Sequence, residues 1–136
     1  MKWLNYKDSS IDIIESVEHR LQITLPEDYK QFVLKYNGGY PNPNHFKVDG
    51  KVEIFNNLIS LDENEYDNIY EILEDLQDRI GDHLIPFAED GFGNLLCFDY
   101  SADKNIVFWD HEKNHGDFKE LPLVCFSFSS LIENLF

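Results

Sequence analysis

The chain is poor in positive charge. Eleven lysines and arginines stand against 26 aspartates and glutamates, for a formal net charge of −15 over 136 residues. A surface so short of cations is ill suited to cradle phosphates, which argues against nucleic acid or an anionic membrane as direct partner. It would instead speed encounter with a basic protein at low salt. Cysteine is scarce too: Cys97 and Cys125 sit in the apolar runs LLCFDY and PLVCFSF, the setting of buried thiols rather than a disulfide. No long hydrophobic run approaches a membrane span, and the opening MKWLNYKDSS has no apolar core of a signal peptide, so the expected location is the cytoplasm. Repeats, low-complexity tracts and linkers are absent, and one domain over residues 1–136 is expected.

What is present is apolar: 43% of residues are hydrophobic and 15% aromatic, enough to build a packed core. The chain is organised around residues 25–39, LPEDYKQFVLKYNGG. Thr24 or Leu25 stands at the expected helix cap, with Pro26 in the first turn. Glu27 and Asp28 meet the positive end of the helix dipole. Tyr29, Phe32, Val33 and Tyr36 recur at helical spacing as one apolar stripe. Asn37, Gly38 and Gly39 end the helix.

Before it, Ser9 or Ser10 caps a helix with Ile11, Ile14, Val17 and Leu21 inward. After it, residues 38–44 (GGYPNPN) read as a loop, and residues 45–48 and 52–55 flank Asp49-Gly50 as a hairpin. An acidic connector over 56–68 leads to a helix over 68–80 with Ile69, Ile72, Leu73, Leu76 and Ile80 inward. LIPFAE, LLCFDY and IVFWDH then read as three strands, followed by a strand over 121–126 and a short helix capped by Ser127. The expected fold class is α+β: an antiparallel sheet of about five or six strands, from a hairpin plus a meander, packed with about four helices.

Several short stretches carry residue types associated with catalysis or phosphate binding. His111, Glu112 and His115 match the zinc-protease spacing, with Glu133 as a conceivable third ligand. That chemistry requires a helix, whereas these residues follow a strand and run into Gly116-Asp117. A solvated turn accounts for them better. Gly91-Phe92-Gly93-Asn94 lacks the lysine and the following helix of a phosphate loop. Cys97 with His111 or His83 lacks the electropositive setting a thiolate nucleophile needs. Asp99 and Asp110 sit near strand ends, as a carboxylate pair or as turn caps. No catalytic residue, metal or cofactor is expected. The acidic stretches are candidates for partner contact instead: Asp62, Glu63, Glu65 and Asp67 in the connector, and Glu71, Glu74, Asp75 and Asp78 on the following helix, with Tyr70 as an aromatic anchor.

An ordered set of short markers also resembles a known family. Ile14, Glu18 and Leu21 lead to Leu25-Pro26, Asp28-Tyr29, Phe32 and Asn37-Gly38-Gly39. Pro86-Phe87-Ala88, Asp90-Gly91, Gly93-Asn94 and Asp99 follow, and Val107, Asp110-His111-Glu112 and Ser127-Phe128 close the series. The chain is similar to the SUKH superfamily, in the branch of the Smi/Knr-type fungal cell-wall assembly regulator. The likeness is weakest over residues 48–82. The resemblance implies a non-enzymatic binding domain. Bacterial members are typically immunity proteins that bind a cognate toxin, commonly a nuclease whose basic surface an acidic protein can occupy. A regulatory scaffold like the fungal relative is the alternative it leaves, with zinc hydrolysis at His111, Glu112 and His115 a remote third.

Overall fold

A computed structural model describes residues 1–113 and 121–136. Its core begins with the central helix, α2 (Glu27–Tyr36), which follows α1 (Ile11–Leu21). Ser10 caps α1 by accepting from the Ile13 N–H. The cap of α2 is Pro26, in extended conformation and with no side-chain bond, one residue beyond the expected position. Glu18 anchors the segment that leads into α2: its carboxylate accepts from the Leu25 N–H at 2.8 Å and lies 3.4 Å from Lys30 Nζ, tying α1 to the start of α2.

Strand β6 (Leu84–Glu89), β7 (Leu95–Asp99) and β8 (Asn105–Trp109) form the expected meander. β5 (Asn57–Leu58) and β9 (Leu123–Cys125) complete an antiparallel sheet ordered β5-β6-β7-β8-β9. Between Pro86 and Ala88 the register with β7 shifts by one residue, leaving Phe87 as a bulge. Proline has no N–H for the ladder, so a bulge is where an inner strand tolerates it. Phe87 stacks on Phe98 at 4.3 Å, and the Tyr29 ring of α2 meets both, at 6.0 and 5.2 Å. Phe128, the first residue of α4 (Phe128–Glu133), closes the group 5.3 Å from Tyr29. Ser127 caps α4 as expected.

Asp49-Gly50 turns the hairpin of β3 (His45–Val48) and β4 (Lys51–Ile54), both residues at positive φ, as a tight two-residue turn requires. Several expectations need correction. Residues 38–44 are not all loop, because β2 (Tyr40–Asn42) pairs with β1 (Lys2–Leu4), which periodicity did not reveal. The last strand is shorter than expected, at Leu123–Cys125. The third helix, α3 (Ile69–Leu76), ends earlier and continues as a 3-10 turn over Gln77–Arg79. Ile11 lies outside the core, 63% exposed. The class is α+β, with four α-helices and antiparallel sheets among the described residues. No helix among them is long and apolar enough to cross a membrane.

Phe32 is half-buried, packed edge-on to Trp3 and Phe128, whereas Tyr29 is fully buried. Tyr29→Ala should therefore cost about 3–5 kcal/mol, the range for a large buried ring, and Phe32→Ala about 2 kcal/mol. Urea unfolding of the two variants checks the ranking. Equal losses would mean that the core is not centred on Tyr29.

Candidate functional site

The acidic connector is held in place by two buried amides. Asn37, at the end of α2, accepts the Leu61 N–H on Oδ1 at 3.0 Å, donates through Nδ2 to Ser60 Oγ, and accepts the Lys7 N–H on its carbonyl. Gly38 turns the chain at φ +73°, and the Gly39 carbonyl accepts the Leu58 N–H. A Cβ at Gly39 would meet the Tyr36 carbonyl at 2.9 Å and the Trp3 ring at 3.0 Å, so no side chain fits there. Asn68, the second amide, accepts the N–H groups of Tyr70 and Glu71 on Oδ1 and donates back to the Glu65 carbonyl and to Glu71 Oε1. That reciprocal arrangement is a capping box at the start of α3.

These bonds sort the carboxylates expected to make contacts. Glu71 serves the α3 cap. Glu63 accepts from Arg20 at 2.8 Å, and the same guanidinium lies 3.6 Å above the Tyr70 ring, which is half-buried beneath it. Glu65 pairs with Lys7, and Asp62 accepts the Asn64 N–H in a local turn. Glu74, Asp75 and Asp78 lie exposed along α3 and the 3-10 turn after it, where Arg79 donates to the Asp75 carbonyl. Asp67 is exposed at φ +55°. The structure thus gathers Asp62, Glu65 and Asp67 on one side and leaves Glu74, Asp75 and Asp78 on another element.

The gathered group lines a groove of about 310 Å³ between the connector, the β1–β2 pair and the β5–β6 end of the main sheet. Asp8 and Glu89, absent from the sequence-level candidates, join it, so among the described residues five carboxylates and one ammonium, Lys7, line the groove. Glu89 ends the apolar strand LIPFAE and pairs in register with Asn57, whose side chain hydrogen-bonds it. Burial raises the Glu89 pKa, the Asn57 bond opposes that shift, and Asp67 and Asp90 add to it. A carboxylate terminating an otherwise fully buried strand was the one available signal, and only the tertiary fold brings it to Asp67.

The other candidates have structural partners. Asp90, 5% exposed, accepts the N–H groups of Phe92 and Asn94 and the Asn94 side chain. Asn94 in turn accepts from the His111 backbone and ring, the ring nitrogen Nδ1 at 2.7 Å. His111 and Glu112 lie in a turn rather than a helix, and His115 falls outside the described residues. Asp99 and Asp110 cap turns, accepting from Ser101 and from Glu112. Cys97 is buried and Cys125 half-buried, both as free thiols, and burial pushes both pKa values up, away from the thiolate.

The scaffold of the candidate surface is a helix pair packed on an antiparallel meander, with Glu18 and Asn37 tying separate segments together. The family model described as SMI1-KNR4 cell-wall matches residues 11–123, and the chain belongs to that SUKH family. It is 26% identical over 140 residues to the SPbeta prophage-derived uncharacterized protein YokK of Bacillus subtilis (strain 168), covering 90% of this chain and 72% of that protein. A crystal structure of a protein from Pseudomonas syringae pv. tomato shares the fold, with a TM-score of 0.54 and 16% identity over 86% of this chain and 75% of its own.

The groove's electrostatics predict a pH signature. Because the folded-state pKa of Glu89 is raised, its contribution to stability is fully present below the ordinary carboxylate value of 4.5 and is lost as pH rises through the raised value. Glu89→Gln, which cannot ionise, should match the wild type in urea unfolding at pH 4 and exceed it at pH 7.5. An equal difference at both pH values would refute the assignment.

Proposed function

We propose that this chain is a bacterial immunity protein that binds a cognate toxin domain and neutralises it stoichiometrically, without catalysis. The observation that carries the reading is the family match over residues 11–123, since bacterial members of this family typically protect against polymorphic toxins. The charge of −15 supports it, because a nuclease must present basic surface to phosphates and an acidic protein can occupy that surface. A prophage-derived relative favours a bacterial conflict role over a scaffold of the fungal kind. The protein would act in the cytoplasm as one domain over residues 1–136, with no cofactor and no direct contact with nucleic acid or membrane.

The test is co-expression with the toxin domain encoded beside its gene. A 1:1 complex by light scattering, and loss of toxin activity that is complete at one equivalent, is the expected result. Affinity should fall by about tenfold or more between 50 and 500 mM salt, mainly through the association rate. Inactivation by a small fraction of an equivalent would indicate turnover and overturn the reading.

A further inference from the structure

The groove beside Asp67 and Glu89 combines three properties that the α3 face does not. It is concave, it has a carboxylate surplus, and its rim carries exposed aromatic surface. Tyr66 is 94% exposed, the most exposed large apolar side chain among the described residues, and it lines the groove with Tyr40. Leu4, 55% exposed, stands directly across the β1–β2 pair from Tyr40. Scattered apolar residues on a surface require no explanation, but tyrosines converging on one concavity are the composition of an interface centre.

We infer that this groove is the docking surface for a basic protein segment, with an arginine or lysine side chain entering between Asp67, Glu89 and Tyr66. The inference deepens the immunity reading and rests on it for the partner's identity. Charge complementarity selects the occupant. Of the described residues lining the groove, Asp8, Asp62, Glu65, Asp67 and Glu89 are acidic, and the one cation among them, Lys7, is already paired with Glu65. Glu89 is half-buried in the same groove as Asp67 and feels the charges of Asp67 and Asp90, so an incoming cation relieves repulsion that is present in the free protein. A guanidinium or ammonium on an apolar stem matches a groove that joins carboxylates to an aromatic rim. The Tyr66 ring offers that stem a flat surface and its charge a π face. The walls are stiff. Asn37, Gly39 and Asn68 fix the connector in the free chain, so little ordering remains for binding.

Three variants separate this surface from the alternative. Asp67→Asn/Glu89→Gln removes the charges with isosteric groups, asparagine also tolerating the positive φ at position 67. Tyr66→Ala removes an exposed ring and should leave the melting temperature within about 1 °C of wild type. Each should weaken binding of the neighbouring toxin domain by about tenfold or more in calorimetry. Glu74→Gln/Asp75→Asn/Asp78→Asn, which removes the same kind of charge from the α3 side, should change it less than about threefold, the effect of distant charge alone. The reverse ranking overturns the groove assignment while leaving the immunity reading intact. A second arm uses no toxin: the 15N-labelled chain is titrated with a hexa-arginine amide peptide. The largest shifts are expected at Asn57, Tyr66, Asp67 and Glu89 and should be lost in Asp67→Asn/Glu89→Gln. Shifts spread evenly over the acidic surface would overturn the inference. Groove shifts with peptide but no complex with the toxin domain would instead remove the immunity reading and leave the groove.

Discussion

The structure depends on the contact between the Tyr29 ring and the phenyl rings of Phe87, Phe98 and Phe128. That contact joins α2 to two neighbouring strands and to the C-terminal helix at once. Edge-to-face pairs of this kind add about 0.5–1.5 kcal/mol each to the area they bury, and they fix orientation as well as proximity. The bulge at Phe87 follows from it, since an extra residue in β6 aims that ring at the helix while accommodating Pro86. Asp28 joins the same elements through polar bonds, its carboxylate accepting the Ser129 N–H and hydroxyl at 2.9 Å. The helix and the sheet are therefore locked in rotation, and the end of α2 has a single place to go.

That place determines the acidic groove. Asn37 leaves α2 directly into bonds with Ser60 and Leu61, so the position of the connector follows from the position of the helix. The family's polar markers divide accordingly. Glu18, Asp28, Asn37 and Asn94 spend polar atoms on the backbone or side chains of other segments, and Asp90 spends its own on the turn that presents Asn94. They hold the scaffold, which explains why residues so suggestive of chemistry assemble no reactive constellation among the described residues. The outward carboxylates are placed by that scaffold without belonging to it.

Much of this was legible in the sequence because it is local. Ser10 and Ser127 sit where caps are expected, Asp49-Gly50 has the turn chemistry that closes a two-residue hairpin, and the meander strands announce themselves by composition. β1, β2 and β5 did not, since two or three residues carry no period, and Pro41 argues against a strand unless its partner is known. The third helix was read too long because its apolar spacing continues to Ile80 while the backbone tightens to a 3-10 turn at Gln77. Ile11 was assigned inward by spacing alone, yet the first turn of α1 reaches past the core edge. For the candidate surface, Asp62, Glu65 and Asp67 were readable as one acidic stretch. Asp8 and Glu89, 81 positions apart, become their neighbours only through the β1–β2 and β5–β6 pairings.

Net charge alone would not require any particular arrangement, since dispersed carboxylates keep a protein soluble at little cost. Here, among the described residues, five of them line a single groove. Among the described residues, cations are used where they neutralise a specific neighbour: Lys7 at Glu65, Arg20 at Glu63, and Lys30 between Glu18 and Glu27. Glu89 has Asn57, a neutral donor, and two acidic neighbours. A fold under selection for stability alone gains by replacing such a carboxylate with a neutral side chain of the same shape. Its presence in a groove rimmed by an exposed tyrosine is understandable if the missing cation is supplied from outside, so that binding releases a repulsion carried by the free protein. The same arrangement separates two tasks by position. Aromatic and amide contacts beneath the connector carry the fold, and the carboxylates above it remain open to a partner's charge.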